Sequence, residues 1–363
     1  MDFTLPEAFD DLSALTRGIL TDRVTTDRLR ELEAKDDRFD RPLWTDLATA
    51  GVLAAALPKE AGGDGYGLLE QCGVLIELGR AVAPVPYLST IVTAAAGVAR
   101  FGDADQVARW AVPAARGDLV LTAALSDEGN VTASRTGDAW TLDGAVPVVP
   151  AAPYADLVLV PTDAGVFLVA PSDAGVDIEP QRVTGGEGAG WLELSDVDLP
   201  TGRRLGGEGD DVAGWLRTRA TVGLCALQLG VTERMLEQTA EYARTRVQFG
   251  KPIGTFQAVA QRLADAYIDV EAIRLTLWQA AWRVQEGLPC PTEVATAKFW
   301  AADAGHRVAH TAVHVHGGVG IDVDHTLHRY FLAAKHHEFT LGGATVHLRR
   351  IGTALASGTP RTP

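Results

Sequence analysis

The sequence predicts a multidomain α+β chain with an N-terminal α-helical domain, a small middle β-barrel or sandwich domain, and a C-terminal four-helix bundle. Three observations predict it. Apolar residues recur at helical spacing as far as about residue 118. Short strand-like runs separated by Gly, Asp and Pro fill about 119–205. From about residue 211 the helical period returns and holds almost to the C-terminus. The 363 residues, 47% hydrophobic and 22% charged, suffice for a sizeable core in two or three domains. The domains are expected at 1–118, 119–205 and 206–363.

In the first domain Leu12, Leu15, Ile19 and Leu20, then Leu29, Leu32 and Phe39, then Trp44, Leu47, Val52 and Leu53 mark successive helices. The glycine-rich stretch 57–67 reads as a loop. A helix resumes over 68–78 and stops at Gly79, Pro84 and Pro86 mark a turn, and further helices follow over 90–101 and 106–115. Strand-like runs then lie at 120–125, 131–134, 139–142, 157–160, 165–169 and 191–194. The last third holds long helices over 212–246, 255–286 and 291–315, with a fourth near the C-terminus, the layout of an antiparallel bundle.

The formal net charge is −15, and no basic run or basic helix face offsets it, which argues against a nucleic-acid partner. Cys72, Cys225 and Cys290 have neither metal-ligand nor disulfide-framework spacing and read as reduced core thiols. The N-terminus is acidic (Asp2, Glu7, Asp10, Asp11), unlike a secretion signal. No run approaches the ~18–20 apolar residues of a membrane span. A soluble, cytoplasmic protein without membrane attachment is expected.

Two stretches carry chemistry. The first is Arg246-Val247-Gln248-Phe249-Gly250, continuing through Pro252 and Gly254 to Phe256-Gln257. Read locally it is a charged corner between two helices, since Gly250 and Pro252 make a stop. Arginines, an amide and an aromatic at a glycine-rich corner also suit a phosphate-bearing ligand. The second is His314-Val315-His316-Gly317-Gly318-Val319-Gly320, where glycines end a helix or allow a ligand close to the backbone. No strand precedes it, so it is not a Rossmann fingerprint. His306, His310 and His314 share one helix face, but no carboxylate or cysteine completes a metal set, and packed or interface histidines are expected.

These motifs in this order, on an α–β–α chain, resemble the acyl-CoA dehydrogenase family; so do Leu57-Pro58 with Gly62-Gly63 and Glu77-Leu78-Gly79-Arg80. The resemblance covers nearly the whole chain. It implies FAD as cofactor, an acyl-CoA thioester as substrate, removal of the α proton by a glutamate with hydride transfer to the flavin, and electron-transfer flavoprotein as electron acceptor. It further implies that Arg246, Gln248, Phe249 and Gln257 contact the FAD of a neighbouring subunit. His314 holds a position usually occupied by a glutamine that touches the same cofactor, with Gly317 and Gly318 as close-approach glycines. Arg219 matches an arginine that helps shape the acyl-CoA pocket.

The departures are as informative. The family's glutamate falls here on Leu341 or Gly342, and the alternative base position before Arg219 holds Thr218. None of these can take a proton. The loop and strand that hold the flavin ring are replaced by Leu125-Ser126-Asp127-Glu128-Gly129 and Val148-Val149-Pro150. Groups that would serve a neighbour's flavin are kept, while groups for the chain's own are lost. That split resembles the companion subunit of actinobacterial heteromeric (α2β2) acyl-CoA dehydrogenases, whose substrates include steroid side-chain CoA thioesters. Two other readings stand beside it: a self-sufficient homo-oligomeric enzyme with Glu338 as a displaced base, and a non-catalytic scaffold of the same fold.

Overall fold

The computed structural model describes residues 5–35 and 37–357; Asp2 of the acidic N-terminus lies outside them. The helical domain opens with α1 (Glu7–Arg23), which buries Phe9, Leu12, Thr16 and Leu20 at three- and four-residue spacing. In α2 (Thr26–Glu33) the Thr25 side chain accepts from the Arg28 N–H, and in α3 (Arg41–Thr49) Asp40 accepts from Leu43. The following α4 (Leu68–Ala81) is buried from Leu68 to Gly79 on every face, which makes it the axis of the domain. Leu88–Ala95 then winds with π-type hydrogen bonding directly into α5 (Ala96–Phe101). The last helical stretch is α6 (Ala104–Gln106), a π segment Val107–Ala111, and α7 (Val112–Ala115).

The middle domain is a sandwich. Strands β1 (Leu121–Ala123), β2 (Asn130–Thr136), β3 (Ala139–Pro150), β4 (Leu157–Thr162), β5 (Gly165–Val169), β6 (Val176–Arg182), β7 (Gly188–Pro200) and β8 (Arg204–Leu205) form two four-stranded sheets, β1-β4-β5-β8 and β2-β3-β7-β6. Among the described residues only β1 and β4 pair in parallel. Leu142, Val146, Leu192, Leu194 and Val197 from one sheet meet Val158, Val160, Phe167 and Val169 from the other. β8 and the full length of β7 escaped the sequence reading, and so did two further strand features. β3 runs on to Pro150 through a register shift between Val146 and Val149. β6 is an edge strand whose Pro180 and scarce apolar residues mask it in the sequence.

The bundle comprises α8 (Val212–Thr245), α9 (Gln257–Gln285), α10 (Pro291–His316), α11 (Leu327–Phe339) and α12 (Ala344–Ala356). The fourth helix expected near the C-terminus is therefore two, broken at residues 340–343, where Leu341 and Gly342 both have positive φ. Ion pairs tie the bundle to the first domain: Arg80 of α4 meets Glu233 and Glu237 of α8 at 2.8 Å each, and Arg329 of α11 meets Glu33 of α2 at 2.9 Å.

Candidate functional site

At the end of α8 the chain forms a minimal hairpin. Strands β9 (Val247–Gln248) and β10 (Lys251–Pro252) pair antiparallel, with Gln248 opposite Lys251. The turn residues Phe249 and Gly250 have φ of 53° and 79°, the two positive values that a tight two-residue hairpin needs. Phenylalanine in the left-handed region costs about 1–2 kcal/mol, and here its ring is 94% exposed. A strained backbone that offers an aromatic ring to solvent points to a ligand or partner outside this chain. Phe256 backs the hairpin, with its ring 6.1 Å from Phe249 and 4.5 Å from the Lys251 ammonium.

The donors on this corner differ in what they already hold. Arg244 pairs with Glu241 at 2.8 Å, and Gln248 Nε2 donates to the Val247 carbonyl. Arg246 caps α8 on an exposed surface, and Gln257 begins α9, also exposed. Neither Arg246 nor Gln257 has a side-chain ion pair or hydrogen bond among the described residues. At the end of α10, His314 is likewise exposed and unengaged among the described residues. Gly317 has φ 64°, and the positions where side chains on Gly317 and Gly318 would begin meet nothing within 4 Å. A free guanidinium, a free amide, an exposed ring and open backbone fit an extended dinucleotide such as FAD. The hairpin and the glycine turn approach each other through the stacked rings of Tyr242 and His316, 4.3 Å apart.

The positions expected to hold a catalytic base are occupied otherwise. Leu341 has φ 57°, and its carbonyl accepts from His347 Nε2–H at 2.9 Å. Gly342 has φ 96°, and a Cβ there would lie 3.1 Å from Val346 and 3.2 Å from His347 Nε2. Burial takes the His347 imidazole down to about 4, so it is neutral at physiological pH. Glu338, the nearby carboxylate, is held by Lys335 at 2.6 Å and His306 at 3.1 Å. Thr218 lies partly exposed on α8. Arg219 turns inward, where it donates to the Val92 carbonyl at 3.0 Å, bonds Gln71, and lies 4.9 Å from the Trp215 ring. Burial takes its guanidinium down to about 10.

The middle-domain face is also committed. Asp127, in the loop before β2, meets Arg217 of α8 at 2.6 Å and Arg350 of α12 at 3.2 Å. Arg217 Nη1 makes no well-directed hydrogen bond, so that contact rests on charge alone. Val148 has φ 54° and donates to Gln181, while the Pro150 carbonyl takes the Thr122 hydroxyl.

Sequence reasoning missed a polar cluster at the junction of the sandwich and α11. Glu187, just before β7, meets His336 at 3.0 Å and His337 at 3.9 Å. Burial opposes charge on Glu187, but the His336 charge and hydrogen bond, with His337 and Arg38, hold its carboxyl well below the usual range. Burial likewise opposes a charged His336, and Glu187 outweighs it and raises the imidazole. Beneath them Lys298, fully buried, donates to the carbonyls of His337 and Glu338 at 3.1 Å each and so caps α11. Burial takes that ammonium down to about 8. The adjacent histidines 336 and 337 were the available signal, but their carboxylate lies on another domain.

Helical domain, sandwich and bundle in that order, with donors at the ends of α8, α9 and α10 that are unengaged among the described residues, define a three-domain α–β–α scaffold. The acyl-CoA dehydrogenase N-terminal domain matches residues 7–118 and the acyl-CoA dehydrogenase C-terminal domain residues 207–356. The chain belongs to the acyl-CoA dehydrogenase family. It is 53% identical to acyl-CoA dehydrogenase FadE27 of Mycobacterium tuberculosis, over 98% of this chain and 99% of that one. Its fold matches a chain of the ChsE4-ChsE5 complex from Mycobacterium tuberculosis with a TM-score of 0.96, 54% identity, and coverage of 99% of this chain and 100% of that one. It matches the Tcur3481-Tcur3483 steroid ACAD with a TM-score of 0.93, 41% identity, and coverage of 98% and 99%.

Proposed function

We propose that this chain is the base-less subunit of a heteromeric, FAD-dependent acyl-CoA dehydrogenase, lending FAD contacts to a homologous partner chain that carries the catalytic glutamate. One contrast carries this reading. Arg246, Gln257 and His314 have no side-chain partner among the described residues, Phe249 is exposed and Gly317 and Gly318 are open, while the base positions Leu341 and Gly342 lie in a loop closed by His347. When bound, FAD supplies the acceptor for the β hydride of the acyl-CoA. This chain's part is to hold and orient it. Arg246 offers a planar fork to the diphosphate, Gln257 and His314 offer polar contacts, and Gly317 and Gly318 let the backbone come close.

Assembly with a related chain is supported by the complexes named for two of the similar structures. Exposed apolar residues beside both segments, among them Ile321 at 66% and Val323 at 71%, are the surface such a partner would cover. The likeness to a steroid ACAD supports a bulky steroid side-chain CoA thioester as substrate. An α2β2 stoichiometry, a cytoplasmic location and electron-transfer flavoprotein as acceptor complete the reading. No helix among the described residues is long and apolar enough to cross a membrane.

The test is flavin content per chain, measured with and without the homologous partner co-expressed. The single chain is expected to bind little FAD and to dehydrogenate nothing, and the pair to do both. Stoichiometric FAD with full turnover in the purified single chain would refute the reading. Glu338→Gln in the assembled pair should leave turnover intact, because Lys335 and His306 already engage that carboxylate.

A further inference from the structure

The two candidate FAD segments lie far apart in sequence, and the helices that carry them, α8 and α10, stack Tyr242 on His316 next to both segments. We infer that the Tyr242–His316 stack is a positioning device that fixes the 246–250 hairpin and the 317–318 turn as a single platform. This rests on the function proposed above. The rings lie 4.3 Å apart at 22°, and His316 is 5% exposed. His316 Nδ1 is bonded to the Ala312 carbonyl at 2.8 Å, which fixes the imidazole plane. His325 flanks the same ring at 5.5 Å.

Each partner is coupled directly to its own segment. The Tyr242 carbonyl accepts from the Arg246 N–H at 2.8 Å, and the Arg246 carbonyl accepts from Ile253 N–H at 2.8 Å. The returning chain presses on the same helical turn, because a side chain at Gly254 would meet the Ala243 carbonyl at 3.0 Å. On the other side the glycine turn folds back over His316, so a side chain at Gly320 would lie 3.1 Å from its Cβ. Rotation of either ring therefore tilts one segment relative to the other. An extended dinucleotide spanning both needs their spacing held to about half an ångström. The stack supplies that rigidity without touching the ligand.

The test uses the chain assembled with its homologous partner and reads FAD affinity by flavin fluorescence, together with complex mass and thermal midpoint. Tyr242→Leu and His316→Leu are each expected to weaken FAD binding at least tenfold with mass and midpoint unchanged. Tyr242→Phe, which keeps the stack and the His316 bond to Ala312, should bind within about twofold of the native complex. Native affinity in Tyr242→Leu, alongside weakened affinity in Arg246→Ala, overturns this inference alone. Unchanged affinity in Arg246→Ala overturns the proposed function with it. Amide exchange in the full single chain reads the same coupling without assembly. Tyr242→Leu should speed exchange in both 246–250 and 317–320, and acceleration confined to the nearer segment overturns the inference.

Discussion

Gly342 is, with Leu341, one of the two positions proposed above to stand where related enzymes carry their base, and replacing it by alanine measures how closed that loop is. Gly342 has φ 96°, where an L-residue pays about 1–2 kcal/mol. The added methyl would lie 3.1 Å from Val346 Cγ1 and 3.2 Å from His347 Nε2, closer than ordinary contact. His347 cannot retreat without losing its bond to the Leu341 carbonyl. Crowding of this kind adds about 1–3 kcal/mol. The sum, about 2–5 kcal/mol, corresponds to roughly 3–7 °C in the unfolding midpoint of a chain this long. Differential scanning fluorimetry of Gly342→Ala against the native chain reads it. His347→Ala combined with Gly342→Ala should recover part of the loss, because the two side chains compete for one space. Gly342→Glu, assembled with the homologous partner, should give no acyl-CoA-dependent flavin reduction beyond that of the native pair. A shift under 1 °C for the alanine variant would show that position 342 is not crowded, and added turnover in the glutamate variant would show that the loop still accepts a base.

Further outcomes follow from the same geometry. Lys298→Met removes the cap from α11 and leaves two buried carbonyls without a donor, so stability should fall by about 1–3 kcal/mol in denaturant titrations. Phe249→Ser should leave the single chain's stability within about 0.5 kcal/mol, since the ring is 94% exposed, yet weaken FAD retention in the assembled pair. The Glu187–His336 pair should make stability depend on pH. His336 has a raised folded pKa, so its contribution is complete below the ordinary value of about 6.5 and is lost as pH rises through the folded value. Glu187 has a depressed folded pKa, so its share is present above about 4.3 and is lost as pH falls through the folded value. The difference between native chain and His336→Asn should therefore peak between about pH 5 and 6.5 and shrink as pH rises beyond that window, and a flat profile would contradict the pair. Because Glu187 is 48% exposed, solvent screening limits the peak to about 0.5–1 kcal/mol.

The sequence by itself determined the order of helical domain, strands and bundle, because helical and strand periods are local properties of the chain. It set the long helices within about two residues: 212–246 against Val212–Thr245, and 255–286 against Gln257–Gln285. It also showed that no proton acceptor stands at Leu341, Gly342 or Thr218, since residue identity needs no coordinates. It could not show whether the loop at 340–343 has space for a side chain at Gly342. That space depends on His347, which reaches back from the next helix. Nor could it find that Arg219 faces Gln71 and Val92, that Glu187 crosses from the sandwich to His336, or that Tyr242 stacks on His316. Each is a contact between residues far apart in sequence, and only the packing of one element on another decides which side chains meet.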